Sequence, residues 1–135
     1  MHADGYKVAV FPATPNIATY IMAVVAGPYG FYEHKYDAKT PTIPSMRIYG
    51  RKSVLNFINH EEIFEATLSG MKYYTDLFGR PYPFRKYDQI FAPESSSGGM
   101  ENVGCVTYNE DTLFRGETVT LGKRLVQMTT TLHEL

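Results

Sequence analysis

The sequence predicts an α+β chain in two stretches, the end of a β domain followed by the start of an α/β domain. Three observations carry this. β-branched and aromatic runs crowd the first third. Two strong helical periodicities both come after residue 60. Strand-like segments around a glycine-rich turn lie between those two helices. The expected division puts 1–52 in the first stretch and 53–135 in the second.

Taken in order, "YKVAVF" alternates loosely, and "IATYIMAVVAG" is a continuous apolar run closed by Gly27 and Pro28, which predicts a buried strand. The segment "AKTPTIPS" is polar, holds two prolines and reads as a loop, and "MRIYG" predicts a further short strand. From 61 to 78 the apolar residues Phe64, Leu68, Met71, Tyr74 and Phe78 recur at the spacing of one helical face. Asn59 with Glu62 three residues on predicts a capping box, and the early glutamates suit the positive end of the helix dipole. Gly79, Pro81 and Pro83 stop that helix. "KYDQIFAP" and "GCVTYNE" read as strands flanking the turn "SSSGGMEN". Leu121, Leu125, Met128, Leu132 and Leu135 then predict an amphipathic helix, with His133 just off its apolar stripe. The pattern runs to the last residue without a closing glycine, which leads to the expectation that the sequence is cut inside an element.

Composition narrows the classes of function. A net charge of −1 offers no basic stripe for a nucleic acid. The longest apolar run, residues 20–27, falls well short of the roughly 20 residues that a membrane span needs. One cysteine, Cys105, excludes an internal disulfide. With no leading hydrophobic segment and no N-glycosylation sequon, the expectation is a reducing, cytoplasmic setting.

Two short stretches could carry chemistry. On a helix, H-E-x-x-H puts two imidazoles on one face within reach of a single zinc, with the glutamate beside the first as general base. Here "TTTLHEL" supplies only His133 and Glu134. Such a pair is weak by itself: His60 and Glu61 form another, and Phe64 stands where the second His would be. The second stretch is "GGMEN", 98–102. Its plainer reading is a turn or bulge needing glycine, with Glu101 an exposed strand carboxylate. Its functional reading is a backbone edge open to a peptide, with Glu101 pairing with an α-ammonium group of pKa about 8.

Together these stretches resemble the zinc aminopeptidases of the aminopeptidase N and puromycin-sensitive aminopeptidase family, which are gluzincins. "PESSSGGMENVGCVTYNED" followed by "TTTLHEL" matches the family's G-x-M-E-N motif lying upstream of H-E-x-x-H. "FGRPYPFRKYDQIFAPE" resembles its F-G-x-x-Y-P-x-x-K-x-D stretch, and "ATPNIATYIMAVVAGPY" its T-P-x-x-S-T-Y segment. Four ordered matches cover almost the whole chain.

The resemblance implies a fold and a set of roles. Residues 1–52 would be the C-terminal part of a saddle-like N-terminal β domain, and 53–135 the first part of a thermolysin-like peptidase domain. His133 would be a zinc ligand and Glu134 the general base towards metal-activated water. Glu101 would hold the substrate's terminal ammonium, so that only the first residue is removed. Gly98 and Gly99 would present backbone to the peptide, with Met100 and Asn102 shaping the motif. One zinc ion would serve the complete protein, and the partners would be peptides with a free N-terminus. The sequence also departs from the family. Gly99 stands where many members have Ala, and Ser97 stands where the family lines its first side-chain pocket. The second His would fall at position 137, and neither it nor the glutamate ligand lies in this chain. The expectation is a fragment of a zinc aminopeptidase that is inactive by itself. The alternatives are a leukotriene-hydrolase-like member, favoured only by Gly99, and a non-catalytic β-rich interaction module.

Overall fold

The fold is given by a computed structural model that describes residues 2–3, 6–34, 44–95, 97–116 and 118–135. A short hairpin opens the chain, pairing β1 (His2–Ala3) with β2 (Tyr6–Lys7). β3 (Tyr29–Glu33) and β4 (Ser45–Arg51) follow, then α1 (His60–Phe78), β5 (Lys86–Ala92), β6 (Gly99–Met100), β7 (Cys105–Asn109) and α2 (Leu121–His133). Five strands form one mixed sheet in the order β3-β4-β5-β7-β6. β4, β5 and β7 run parallel, while the edge strands β3 and β6 are antiparallel to their neighbours. The architecture is therefore α+β, as the sequence predicts.

Burial explains which strands sit where. In β4, Met46, Ile48 and Gly50 are buried and alternate with half-buried Arg47 and Tyr49. That is the period of a strand with one face against a core. β5 is the central strand, and Gln89, Ile90 and Phe91 are buried in succession, as expected where both faces are covered. The parallel step from β4 to β5 needs a crossover, and α1 supplies it. One core joins Met46, Ile48, Tyr87, Phe91, Val106 and Tyr108 of the sheet to Ile63 and Phe64 of α1. Met128 and Leu135 pack against it from the end of the chain.

Both helices form where expected, with differences of detail. Gly79 ends α1 in the left-handed conformation, with φ 65°, and its N–H donates to Thr75 O at 2.9 Å. Asn59 does not close a capping box onto the backbone. Its Nδ2 instead donates to the Glu62 carboxylate at 2.6 Å. The C-terminal end of the predicted apolar stripe of α1 is open, for Phe78 is 69% exposed.

Three expectations are corrected. Of "YKVAVF", only Tyr6 and Lys7 are strand, and Val8, Val10 and Phe11 are exposed. The run 17–27 is not a buried strand. It makes a single 3-10 turn, Thr19–Ile21, and leaves Tyr20, Met22 and Val24 exposed. Apolar content alone does not make a strand, since each strand needs a ladder partner. No such partner is present among the described residues, and only Val103 N–H, donating to Ile21 O at 3.0 Å, reaches the run. The stripe of α2 is also misread at its start, because Leu121 and Leu125 face solvent while Gln127, Thr131 and Glu134 are buried. Most of the predicted loop "AKTPTIPS" lies outside the described residues. The division at residue 52 meets no break in the sheet, since β4 before it pairs with β5 after it.

Candidate active site

The two sequence motifs meet in space, one on a sheet edge and the other at a helix end. After β5 the chain returns as β6, pairing Gly99 with Tyr108 and Met100 with Thr107. The stretch expected to be turn is therefore partly strand. Asn109 N–H donates to Gly98 O at 3.2 Å, extending the ladder by one bond. Beyond Met100 the backbone folds tightly. Asn102 N–H donates to Met100 O and Cys105 N–H to Asn102 O, both at 2.9 Å. Gly104 completes the return at φ 61°, where a Cβ would stand 3.0 Å from Lys86 O. Buried Asn102 donates from Nδ2 to Thr107 Oγ1 at 3.3 Å, which fixes the far end of the motif. Glu101 projects into solvent, without a hydrogen-bond or ion-pair partner among the described residues. Edge strand β6 has β7 on one side only, so its other backbone edge is open to pairing with an extended peptide. Ser97, just upstream, is exposed.

His133 is the last residue of α2 and is exposed, whereas Glu134 caps the helix and is 7% exposed. The Glu134 side chain folds across Gly99. A Cβ built on that glycine would overlap the carboxylate, lying 2.9 Å from Glu134 Cγ. Burial raises the pKa of Glu134, the neighbouring His133 opposes the rise, and the negative Glu101 adds to it. Glu101, Glu134 and Gly99 thus share one locality. Gly98 lies a little apart, in the wall of a groove that also takes in Thr130 and Thr131 of α2.

A zinc ion would find one imidazole here. Among the described residues no group of three His, Cys, Asp or Glu side chains is arranged to hold a metal. The donors present fit one ligand's share of a site and no more.

Sequence reasoning missed the residues beneath the pair. Tyr87 donates its hydroxyl to Glu134 O at 3.2 Å, and Tyr74 donates to Leu132 O at 3.3 Å. Gln89 and Thr131 are buried and hydrogen-bonded close by. A glutamine inside the strand "YDQIF" and three threonines in a helix are the signals that could have found them.

Comparison with known proteins shows which family the chain belongs to. The Peptidase family M1 domain matches residues 62–135. The chain is 38% identical over 125 residues to an Aminopeptidase N of Streptomyces lividans, covering 93% of this chain and 14% of that protein. It is 28% identical over 131 residues to Aminopeptidase N of Rattus norvegicus, covering 96% and 13%. It is also 28% identical over 136 residues to Aminopeptidase Ey of Gallus gallus, covering 100% and 14%. The chain thus spans about one seventh of the length of these relatives. With a domain match over more than half its residues and relatives named as aminopeptidases along nearly all of them, the chain belongs to peptidase family M1.

Proposed function

We propose that these 135 residues carry the peptide-binding strand and the first zinc-ligand turn of a zinc-dependent aminopeptidase, which removes N-terminal residues from peptides. The observation that carries this reading is the contact of Glu134 with Gly99, which joins the "GGMEN" strand to the "HEL" turn. In this reading a peptide lies along the open edge of β6, against the backbone of Gly98, Gly99 and Met100. Asn102 holds the turn that presents Glu101, and Glu101 binds the free α-ammonium by a charge-assisted hydrogen bond. That anchor sets the register, so the first peptide bond meets the catalytic groups.

Glu134 acts as general base, and burial raises its pKa, the direction that makes a carboxylate the stronger proton acceptor. His133 would give one ligand to zinc, together with donors outside this chain. The chemistry a bound zinc supplies is Lewis acidity, which acidifies a water and polarises the scissile carbonyl. One ligand does not retain a catalytic metal, so the 135-residue polypeptide alone is expected to be inactive.

The domain assignment is part of the same proposal: a saddle-like β domain ending in the first stretch, and a thermolysin-like peptidase domain beginning in the second.

The test uses the full-length protein bearing these residues. Glu101→Ala should lower kcat/KM on an aminoacyl arylamide by about two orders of magnitude while zinc content stays at wild-type level. Loss of zinc in step with activity would overturn the role given to Glu101.

A further inference from the structure

A polar thread crosses the apolar core under the His133–Glu134 turn, and the chemistry proposed above does not use it. Thr67 of α1 and Gln89 of β5 are fully buried, and Tyr108 of β7 is 3% exposed. The Tyr108 hydroxyl donates to Gln89 Oε1 at 3.2 Å, and Gln89 Nε2 donates to Thr67 Oγ1 at 3.1 Å. Thr67 then donates to the main-chain carbonyl of Ile63 at 2.8 Å. Every donor in this line points the same way, so no member can reverse without stranding a buried group. The Tyr108 hydroxyl also lies beside the side chains of Tyr87 and Thr131, so the thread abuts both. Tyr87, 1% exposed, spends its own proton on Glu134 O at 3.2 Å.

The thread therefore ties α1, β5, β7 and the end of α2 into one oriented unit. Among the described residues no buried side-chain nitrogen or oxygen lacks a partner. Apolar residues of the same shape could fill this volume at little cost in stability, so what the hydroxyls add is orientation. The thread itself ends on the Ile63 carbonyl of α1, and Tyr87 beside it anchors the backbone at the end of α2, whose last carbonyls have no partner within the helix. Tyr74 bonds to Leu132 O from α1 and Tyr87 to Glu134 O from the sheet, one on each side of His133.

We propose that Tyr87 and Tyr108 are positioning residues: the buried Tyr87 hydroxyl holds the turn carrying His133 and Glu134 so that the carboxyl stays over the Gly99 backbone, and Tyr108, oriented by Gln89, holds Tyr87 in place from beside it. This rests on the aminopeptidase reading. The residues touch neither substrate nor metal. They act through the geometry of the turn, where small misplacements cost rate more than binding.

The test compares phenylalanine variants in the full-length zinc-loaded protein, assayed on alanyl p-nitroanilide. Tyr87→Phe and Tyr108→Phe should each lower kcat about tenfold, with KM and zinc content close to wild type. Tyr82→Phe is the control. Its ring packs edge-on against Tyr87, but its hydroxyl belongs to the Gly104 side of the core, away from the thread. It should leave kcat unchanged even where it lowers the melting temperature as much. An active wild type whose Tyr87→Phe and Tyr108→Phe variants keep their kcat would overturn the inference. So would a Tyr82→Phe variant that loses kcat in proportion to stability. A wild-type protein without zinc-dependent aminopeptidase activity would instead overturn the reading beneath it, and the inference with it.

Discussion

At Gly99 the missing side chain makes room for another residue's carboxyl. A methyl group there would meet the mobile end of Glu134, which can swing aside, and not backbone. Gly99→Ala should therefore cost at most about 1 kcal/mol in urea unfolding, the low end of the range for overpacking. It should also return the Glu134 pKa towards its ordinary value, read by carboxyl NMR, as the group moves out of its buried place. Glu110 behaves differently, because its partners hold it in place. Arg51 donates Nε to its Oε2 at 2.9 Å, and Arg115 donates to Oε1 at 3.0 Å. The Arg51 hydrogen bond, joined by Arg115, lowers the Glu110 pKa against the opposing effect of burial. The folded chain thus binds that proton more weakly than the unfolded chain. The resulting stabilisation is complete above the ordinary value of 4.5 and drains away as pH falls through the folded value. Glu110→Gln should lose about 2 kcal/mol at neutral pH. It should also flatten the acid limb of a stability-against-pH curve measured by urea midpoints. An unaltered limb would show that the clamp contributes nothing.

Within the elements, two glycines of the α1 region have opposite reasons for being there. Gly79 needs its left-handed backbone, and nothing lies within 4 Å of where a Cβ would be. Gly79→Ala should cost about 1 kcal/mol from conformation alone. Gly70 has helical geometry but no space. A Cβ there would lie 2.5 Å from Leu135 Cδ1 and 2.6 Å from Leu132 Cδ2. Its hydrogen side chain lets α2 lie close against α1. Gly70→Val should cost about 2 kcal/mol, in the overpacking range, and should reduce the unfolding midpoint more than Gly79→Ala does. The reverse order would mean that the helix contact is loose. Both helices were legible from residue spacing, and Gly79 from its place after Phe78. The close approach at Gly70 was not, since a glycine in mid-helix gives no sign of what will sit against it.

At the scale of the whole molecule, protection should follow the sheet order. β5 has a strand on each side and a core on its faces, so its amide protons should exchange most slowly. Amides of 8–18 and 22–28, which lie in no ladder, should exchange fastest. Equal rates in the two regions would contradict the topology. The apolar run 17–27 is where sequence reading failed most plainly, because hydrophobicity reports a preference for burial and says nothing of a ladder partner. The same limit explains α2. Its periodicity located the helix, yet Gln127, Thr131 and Glu134 turned inward, Gln127 donating to Thr112 O and Thr131 to Gln127 O, main-chain acceptors that polarity along the chain does not reveal.

Residue spacing by itself determined the α+β class and the places of α1, β4, β5, β7 and α2, while the pairing of "GGMEN" with "HEL" came from the resemblance to a family. Local periodicity and turn chemistry depend on neighbours along the chain. Only the tertiary structure decided that Glu134 would lie on Gly99, and that β6 would be an open edge. It alone decided that Tyr87 would reach the helix end through the core, with Tyr108 beside it. Those facts depend on which faces meet across the sheet, and the contacts join residues far apart in sequence.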